Sequence, residues 1–343
     1  MTSSLHAAST DAVLADNKSD TTFLDRFSHL KNDVITQMRH RIIGQELIIE
    51  QLLITLLCNG HALLVGVPGL AKTRLIQTLA EVIALDFNRV QFTPDLMPSD
   101  ITGTDVIQTR TDGSRVFEFS PGPIFTNLLL ADEINRTPPK TQAALLQAMQ
   151  ETQVTMGGNT HNIDAPLCVF ATQNPIEQEG TYPLPEAQLD RFMLMLQIGY
   201  PSEEEELAII QKTTSPNIGA PTPVLNRDAI LDIQQFIPRI PISESLTRQA
   251  VTIVRATRPA ESSSRLVRDF VSFGAGPRAA QHLVMAAKAR AFLSGRPTVE
   301  TNDLEALLLP CLRHRLSLNF QSNLQGIKAD EILSDLLTSI PHG

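Results

Sequence analysis

The chain has 343 residues, 42% of them hydrophobic and only 5% aromatic, with no Trp, so its core is aliphatic. Single cores rarely grow past about 250–300 residues, which makes two domains the expectation. The 28 basic and 37 acidic side chains leave a net charge of −9. That balance lacks the basic surplus of a nucleic-acid binder, and no apolar run approaches the ~18 residues of a membrane helix. The charge is uneven: residues 1–222 carry 14 basic and 26 acidic groups, residues 223–343 carry 14 and 11. Cys58, Cys168 and Cys311 are widely spaced in apolar surroundings. They read as free thiols in a reducing cytoplasm rather than as a disulfide or zinc framework.

Residues 1–25, rich in Ser, Thr, Asp and Ala, read as a flexible tail without the basic and apolar regions of a secretory signal. Phe27, Leu30, Val34, Ile35 and Met38 mark one helical face, and a second helix runs over Leu47–Leu57 to a stop at Asn59-Gly60. Ala62–Val65 is a wholly apolar strand, as a parallel sheet covered on both faces requires. Leu75, Leu79, Val82 and Ile83 follow as an amphipathic helix, then a strand at Val90–Phe92. Alternation around Asp112-Gly113 predicts a hairpin over about 104–120. Ile124–Ala131 contains another buried strand, and Thr137 caps a helix with Pro138 first, running to about Glu151. A hairpin within about 153–165 and a strand over Leu167–Thr172 come next. Ser202 and Glu205 form a capping box, Thr213–Pro223 is the candidate hinge, and everything from Asn226 reads as helical. The predicted plan is an α/β core over 26–215 and a smaller all-helical domain over 223–343.

Four signals carry chemistry. Gly66-Val67-Pro68-Gly69-Leu70-Ala71-Lys72-Thr73 follows the first strand and opens a helix, extending to Arg74. It resembles a P-loop, whose backbone N–H groups wrap phosphate while the Lys reaches the β- and γ-phosphates and the Thr hydroxyl ligates Mg²⁺. Ala71 stands where the strict pattern has Gly. Asp132 and Glu133 end an apolar strand, suited to holding Mg²⁺ and to polarising the attacking water. Asn174, after the next strand, is suited to orienting that water. Arg191 and Arg278 are candidates to meet phosphate charge, although an Asp190–Arg191 surface pair explains the former equally well. No histidine has metal-ligand spacing.

In this order the pieces resemble the AAA+ ATPases, and their wording resembles the MoxR family. The strings are GVPGLAKT (66–73), QFTPDLMPSDITG (91–103), PGPIF (121–125), ADEINR (131–136), ATQNP (171–175) and GTYPLPEAQLDRF (180–192). The resemblance spans about residues 42–319, and MoxR proteins are similar in using Ala at position 71. It implies an AAA+ αβα P-loop core and a helical lid, binding ATP and Mg²⁺. Lys72 and Thr73 then belong to Walker A, Asp132 and Glu133 to Walker B, and Asn174 is sensor 1. Arg191 is implied as an arginine finger acting on a neighbour's ATP and Arg278 as sensor 2, in cis or in trans. Ile43 and Gln45 match the adenine-side segment. Residues 104–120 match the helix-2 insert and the 153–165 hairpin the pre-sensor-1 hairpin, with Phe117 and Phe119 as contact candidates or simple packing. Arg313-His314-Arg315 also matches, without an assigned role.

The expected function is an ATP hydrolase in a ring, a hexamer by resemblance, remodelling partner proteins, some of which carry a von Willebrand factor A domain. Two other readings stay open: a DNA-acting motor, which the missing basic surplus disfavours, and a nucleotide-gated scaffold, which the complete set of catalytic side chains disfavours.

Overall fold

The strands β1 (Ala62–Val65), β2 (Phe87–Gln91), β5 (Leu128–Asp132), β8 (Cys168–Gln173) and β9 (Leu194–Gln197) form one sheet in the order β2-β5-β8-β1-β9. All its pairings are parallel. The structure is a computed structural model, and it describes residues 20–109, 111–112, 114–176, 180–214 and 219–339. The inner strands are apolar up to their C-terminal ends because helices cover both faces: all five residues of β5 are buried. The edge strands are mixed in burial. That partial covering is why β9, only four residues long, leaves no clear sequence signal.

Pairing places Val65 beside Gln173 and Ala131 beside Ala171. The C-terminal ends of β1, β5 and β8 are therefore neighbours along one edge, where ligands of open α/β sheets bind. The helix Lys72–Val82 leaves β1 at that edge, and the helix Pro139–Glu151 follows β5. Pro138 is the cap of the latter and Pro139 its first residue, one position later than expected at Thr137-Pro138. Two adjacent prolines make either a suitable first residue, since neither has an N–H to lose.

Two antiparallel hairpins stand out from the core. The strands β3 (Gly103–Thr109) and β4 (Arg115–Pro121) pair in one, β6 (Gln153–Met156) and β7 (Asn159–Asn162) in the other. Phe119 stacks on His161 with ring centroids 3.8 Å apart and so joins the hairpins. Ile107 and Phe117, cross-strand partners, are both exposed.

Beyond Asn226 the chain is helical except for a two-stranded ribbon, Val271–Phe273 against Ser317–Leu318. The long helix Pro277–Leu293 packs its buried alanines against helices Glu244–Ala256 and Thr301–Leu312. It also packs against Glu46–Leu57, the helix before β1. One apolar cluster consequently runs from Leu24 to Leu336 across both parts of the chain. Asp303 is fully buried in this part, accepting from Arg290 and Arg296 and from the Glu300 N–H.

Two expectations change. Residues 1–19 of the proposed tail lie outside the described residues, but 20–25 belong to a helical stretch, not to a tail. Its Phe23 stacks on Phe236 at 4.6 Å, and Asp20 pairs with Arg239. Of the candidate hinge, residues 215–218 lie outside the described residues. Its far end is fastened to the core, by the Thr222 N–H to Gln37 Oε1, with Val224 N–H to Val82 O just beyond it.

Candidate functional site

The turn after β1 brings Gly66 so close to β9 that a Cβ there would stand 2.8 Å from the Ile198 carbonyl, so only glycine fits. Ala71, at φ +55°, caps helix Lys72–Val82 in the left-handed region. That conformation explains why glycine is the usual occupant of this position. Around this turn lies a cleft of about 430 Å³ lined by Pro68, Gly69, Leu70, Ala71, Lys72, Thr73, Arg74, Asp132, Glu133 and Asn174. The helix N-terminus opening here favours a bound anion. The Lys72 ammonium donates to the Gly66 carbonyl. Burial pushes its pKa below the usual lysine range, against the opposing pull of the Asp132 and Glu133 charges.

The two carboxylates are held by a network that local sequence reading missed. Asp132 Oδ1 accepts from Thr172 Oγ1 at 2.6 Å, and Asp132 Oδ2 from Arg89 at 2.7 and 3.1 Å. Thr73 Oγ1 lies 3.5 Å from the same Oδ2. Glu133, itself left-handed at φ +58°, donates its N–H to Thr172 Oγ1 at 2.8 Å. Its Oε2 accepts from Gln91 Nε2 at 2.8 Å and from Arg136 at 3.0 Å. Arg89 also donates to Gln91 at 2.7 Å. One sequence clue existed: Arg89 and Gln91 alternate along β2. Their relevance depends on β2 lying beside β5, which local pattern does not reveal. Asn174 is buried; its Oδ1 accepts from the Ile176 N–H, and its Nδ2 is buried without a partner among the described residues.

Arg191, Arg278, Ile43 and Gln45 do not join this cleft. Arg191 lies three residues before Leu194, whose β1 partner is Ala62, whereas the P-loop follows Val65. The length of β1, about 13 Å at the usual rise per residue, therefore separates the two. Asp190 does not pair with Arg191. Its carboxylate takes Arg315 at 2.8 Å and Arg278 at 3.5 Å, so both candidate arginines sit at the opposite edge of the sheet from the P-loop. Ile43 and Gln45 lie in the turn before helix Glu46–Leu57. There Gln45, at φ +59°, holds its Oε1 buried without a partner among the described residues.

The described residues contain no cluster of His, Cys, Asp and Glu able to hold a metal ion by itself. The thiols of Cys58, Cys168 and Cys311 are free, and burial pushes each pKa upward. No described helix is long and apolar enough to cross a membrane.

Comparisons agree with this architecture. Residues 61–194 match the ATPase family associated with various cellular activities (AAA), and residues 263–336 match the AAA lid domain. The chain is 40% identical over 315 residues to Chaperone MoxR1 of Mycobacterium tuberculosis, covering 91% of this chain and 82% of that one. It is 41% identical over 313 residues to YeaC of Bacillus subtilis, an uncharacterised protein (91% and 94%). To the MoxR protein of Paracoccus denitrificans it is 31% identical over 299 residues (81% and 86%). A solved structure of a proposed ATPase from Cytophaga hutchinsonii superposes with a TM-score of 0.86 at 40% identity, covering 96% of this chain and 98% of that one. A nucleotide-cradling turn after β1, paired carboxylates at the end of β5, a helical lid and these relatives agree: the chain belongs to the AAA+ ATPases, and within them to the MoxR family.

Proposed function

We propose that the cleft binds ATP and hydrolyses its γ-phosphate, and that the released energy moves lid against core in a ring that remodels partner proteins. One observation carries the reading. Lys72, Thr73, Asp132, Glu133 and Asn174, from three strands that are not consecutive in sequence, line the same cleft at a helix N-terminus. In this reading the P-loop N–H groups and Lys72 hold the β- and γ-phosphates. Glu133 takes a proton from the attacking water. Asn174, whose Nδ2 has no partner among the described residues, orients that water or the γ-phosphate.

The donors fit Mg²⁺. Thr73 Oγ1 and Asp132 Oδ2 are hard oxygens 3.5 Å apart on the phosphate side of the cleft. Thr73 and Asp132 would hold the cation there, and it would supply positive charge against the negative charge that develops on the phosphate. The residues' own share is to present those two oxygens, with Arg89 as the cation competing for Asp132.

Arg191 and Arg278 lie at the other end of the sheet from their own cleft, which supports their acting on a neighbour's ATP. A site needing that charge is incomplete in one copy, hence a closed ring, which we take as a hexamer. The acidic core half and weakly basic lid half suit such contacts, so high salt is expected to loosen assembly. Ile43 and Gln45 are our candidates for the adenine side of the nucleotide, outside the phosphate cleft. The exposed Ile107–Phe117 pair suits a partner protein, for which a von Willebrand factor A domain is our candidate, and the setting is cytoplasmic.

Subunit mixing tests the shared site. Lys72→Ala and Arg191→Ala should each turn over little ATP alone. Mixed, they should recover turnover wherever an intact Arg191 meets an intact P-loop. A mixture no more active than its parts would overturn the reading.

A further inference from the structure

The triplet Arg313-His314-Arg315 has no part in the ATP cleft, yet all three side chains turn to one core segment, residues 190–195. Arg315 is buried and donates to the carbonyls of Asp190 (3.3 Å), Phe192 (2.7 Å) and Met193 (3.2 Å) and to the Asp190 carboxylate (2.8 Å). His314 Nε2 lies 3.0 Å from the Phe192 carbonyl, which can only accept, so this nitrogen carries the proton. Arg313 donates to the Met195 carbonyl at 3.2 Å and to Asp330 at 3.0 Å. A fourth lid residue supports the grip: His282 Nδ1 stands 2.7 Å from Arg315. Burial, then the Arg315, Arg278 and His61 charges, hold the His282 pKa down to about 3, so the ring is neutral and Nδ1 accepts. Arg278 reaches the other oxygen of Asp190.

Arg191 is thus the residue between two gripped neighbours. The carbonyls of the residues on either side of it, Asp190 and Phe192, are both bonded by lid side chains, and Met193 donates its N–H to His61 O at the start of β1. A charged donor strengthens a hydrogen bond, and bonds to carbonyls hold backbone rather than side chain. The donors that reach the core lie in the lid, on or just beyond helices Pro277–Leu293 and Thr301–Leu312, and their core acceptors lie within Asp190–Met195, the strip that runs into β9.

We propose that Arg313, His314 and Arg315 are positioning residues, a clasp through which the lid of one subunit sets where Arg191 stands in its neighbour's ATP site. The clasp rests on the reading that Arg191 acts in trans. A lid shift drags the Asp190–Met193 backbone and so advances or withdraws the guanidinium. A displacement near 1 Å in a catalytic group lowers turnover about a hundredfold.

The test uses the mixing format with Arg315→Lys, which keeps the charge but loses the fork of donors. Because weakening a buried charged donor can unfold a lid, Arg313→Gln, nearer the rim, runs in parallel. Melting curves and gel filtration are recorded for both, and whichever variant folds and assembles decides. Alone, the variant should show kcat lowered about tenfold to a hundredfold and KM for ATP within about twofold of wild type, since its own cleft is intact. Mixing with Lys72→Ala, which supplies a well-placed Arg191, should restore turnover; mixing with Arg191→Ala should not. An unchanged kcat, or a defect that Lys72→Ala leaves in place while it still complements Arg191→Ala, overturns the clasp alone. Failure of Arg191→Ala and Lys72→Ala to complement each other overturns the trans reading and the clasp with it.

Discussion

Thr172 lies under both acidic residues of the cleft, so replacing it by Val isolates a single hydroxyl. Its Oγ1 donates to Asp132 Oδ1 at 2.6 Å and accepts the Glu133 N–H at 2.8 Å, and the residue is fully buried. Val keeps the volume, so no cavity term enters. The hydrogen bond to a charged oxygen contributes about 1.5–3 kcal/mol, and the Glu133 N–H left without an acceptor costs about 1–3 kcal/mol. Together the loss is about 2.5–6 kcal/mol, a fall in melting temperature of roughly 3–8 °C for a chain of this size. Catalysis should fall as well. Glu133 holds a left-handed backbone at φ +58°, and the hydroxyl is what secures its amide. Without it, a displacement of about 1 Å lowers kcat roughly a hundredfold. Thr172→Ser retains the hydroxyl and should stay close to wild type in turnover. The assay is a differential-scanning melt beside steady-state ATP turnover for both variants. Thr172→Val with wild-type melting and turnover would refute the role given to this hydroxyl.

Ala71→Gly removes a left-handed Ala that costs about 1–2 kcal/mol, against about 0.4–1 kcal/mol for the freer unfolded chain. Neutral to about 1.6 kcal/mol more stable in denaturant titration is expected, and a clear destabilisation contradicts the backbone argument. Burial raises the Asp303 pKa, but hydrogen bonds from Arg296, Glu300 N–H and Arg290 outweigh it and leave the carboxyl below its usual range. Its contribution is therefore present above the unfolded pKa and lost as pH falls through the folded one. Asp303→Ala should lose about 3–5 kcal/mol at pH 7, and the gap in melting temperature should narrow below about pH 4; a gap constant with pH would count against it. Arg89→Met frees Asp132 from a competing cation and should lower the Mg²⁺ concentration for half-maximal turnover about threefold or more. A higher Mg²⁺ requirement is the contrary result.

What the sequence disclosed about this site was whatever is contiguous. The P-loop reads directly because strand, turn and helix follow one another at 62–82, and Asp132-Glu133 because four apolar or small residues precede them. The features it concealed all depend on distant segments meeting. The Arg89–Asp132 and Gln91–Glu133 contacts require β2 to pair with β5, whose residues lie about forty positions on. The helical stretch at 20–27 is short and polar by composition; it is fixed by Phe23 and Phe27 packing with Phe236 and Phe292, more than two hundred residues away. Strand β9 is too short and too unevenly covered to show a period. The Asp190–Arg191 pair, a fair reading by proximity, yields to Arg315 and Arg278 because charged donors from the lid arrive at the same carboxylate.

Single-turnover hydrolysis by Glu133→Gln tests the central claim most directly, since Gln keeps the size and the Gln91 contact side of Glu133 but cannot take a proton. With ATP binding measured in parallel by a fluorescent analogue, the account predicts wild-type affinity and a phosphate-release rate lowered about a hundredfold or more. Phosphate release at the wild-type rate from a variant that binds ATP normally would contradict it.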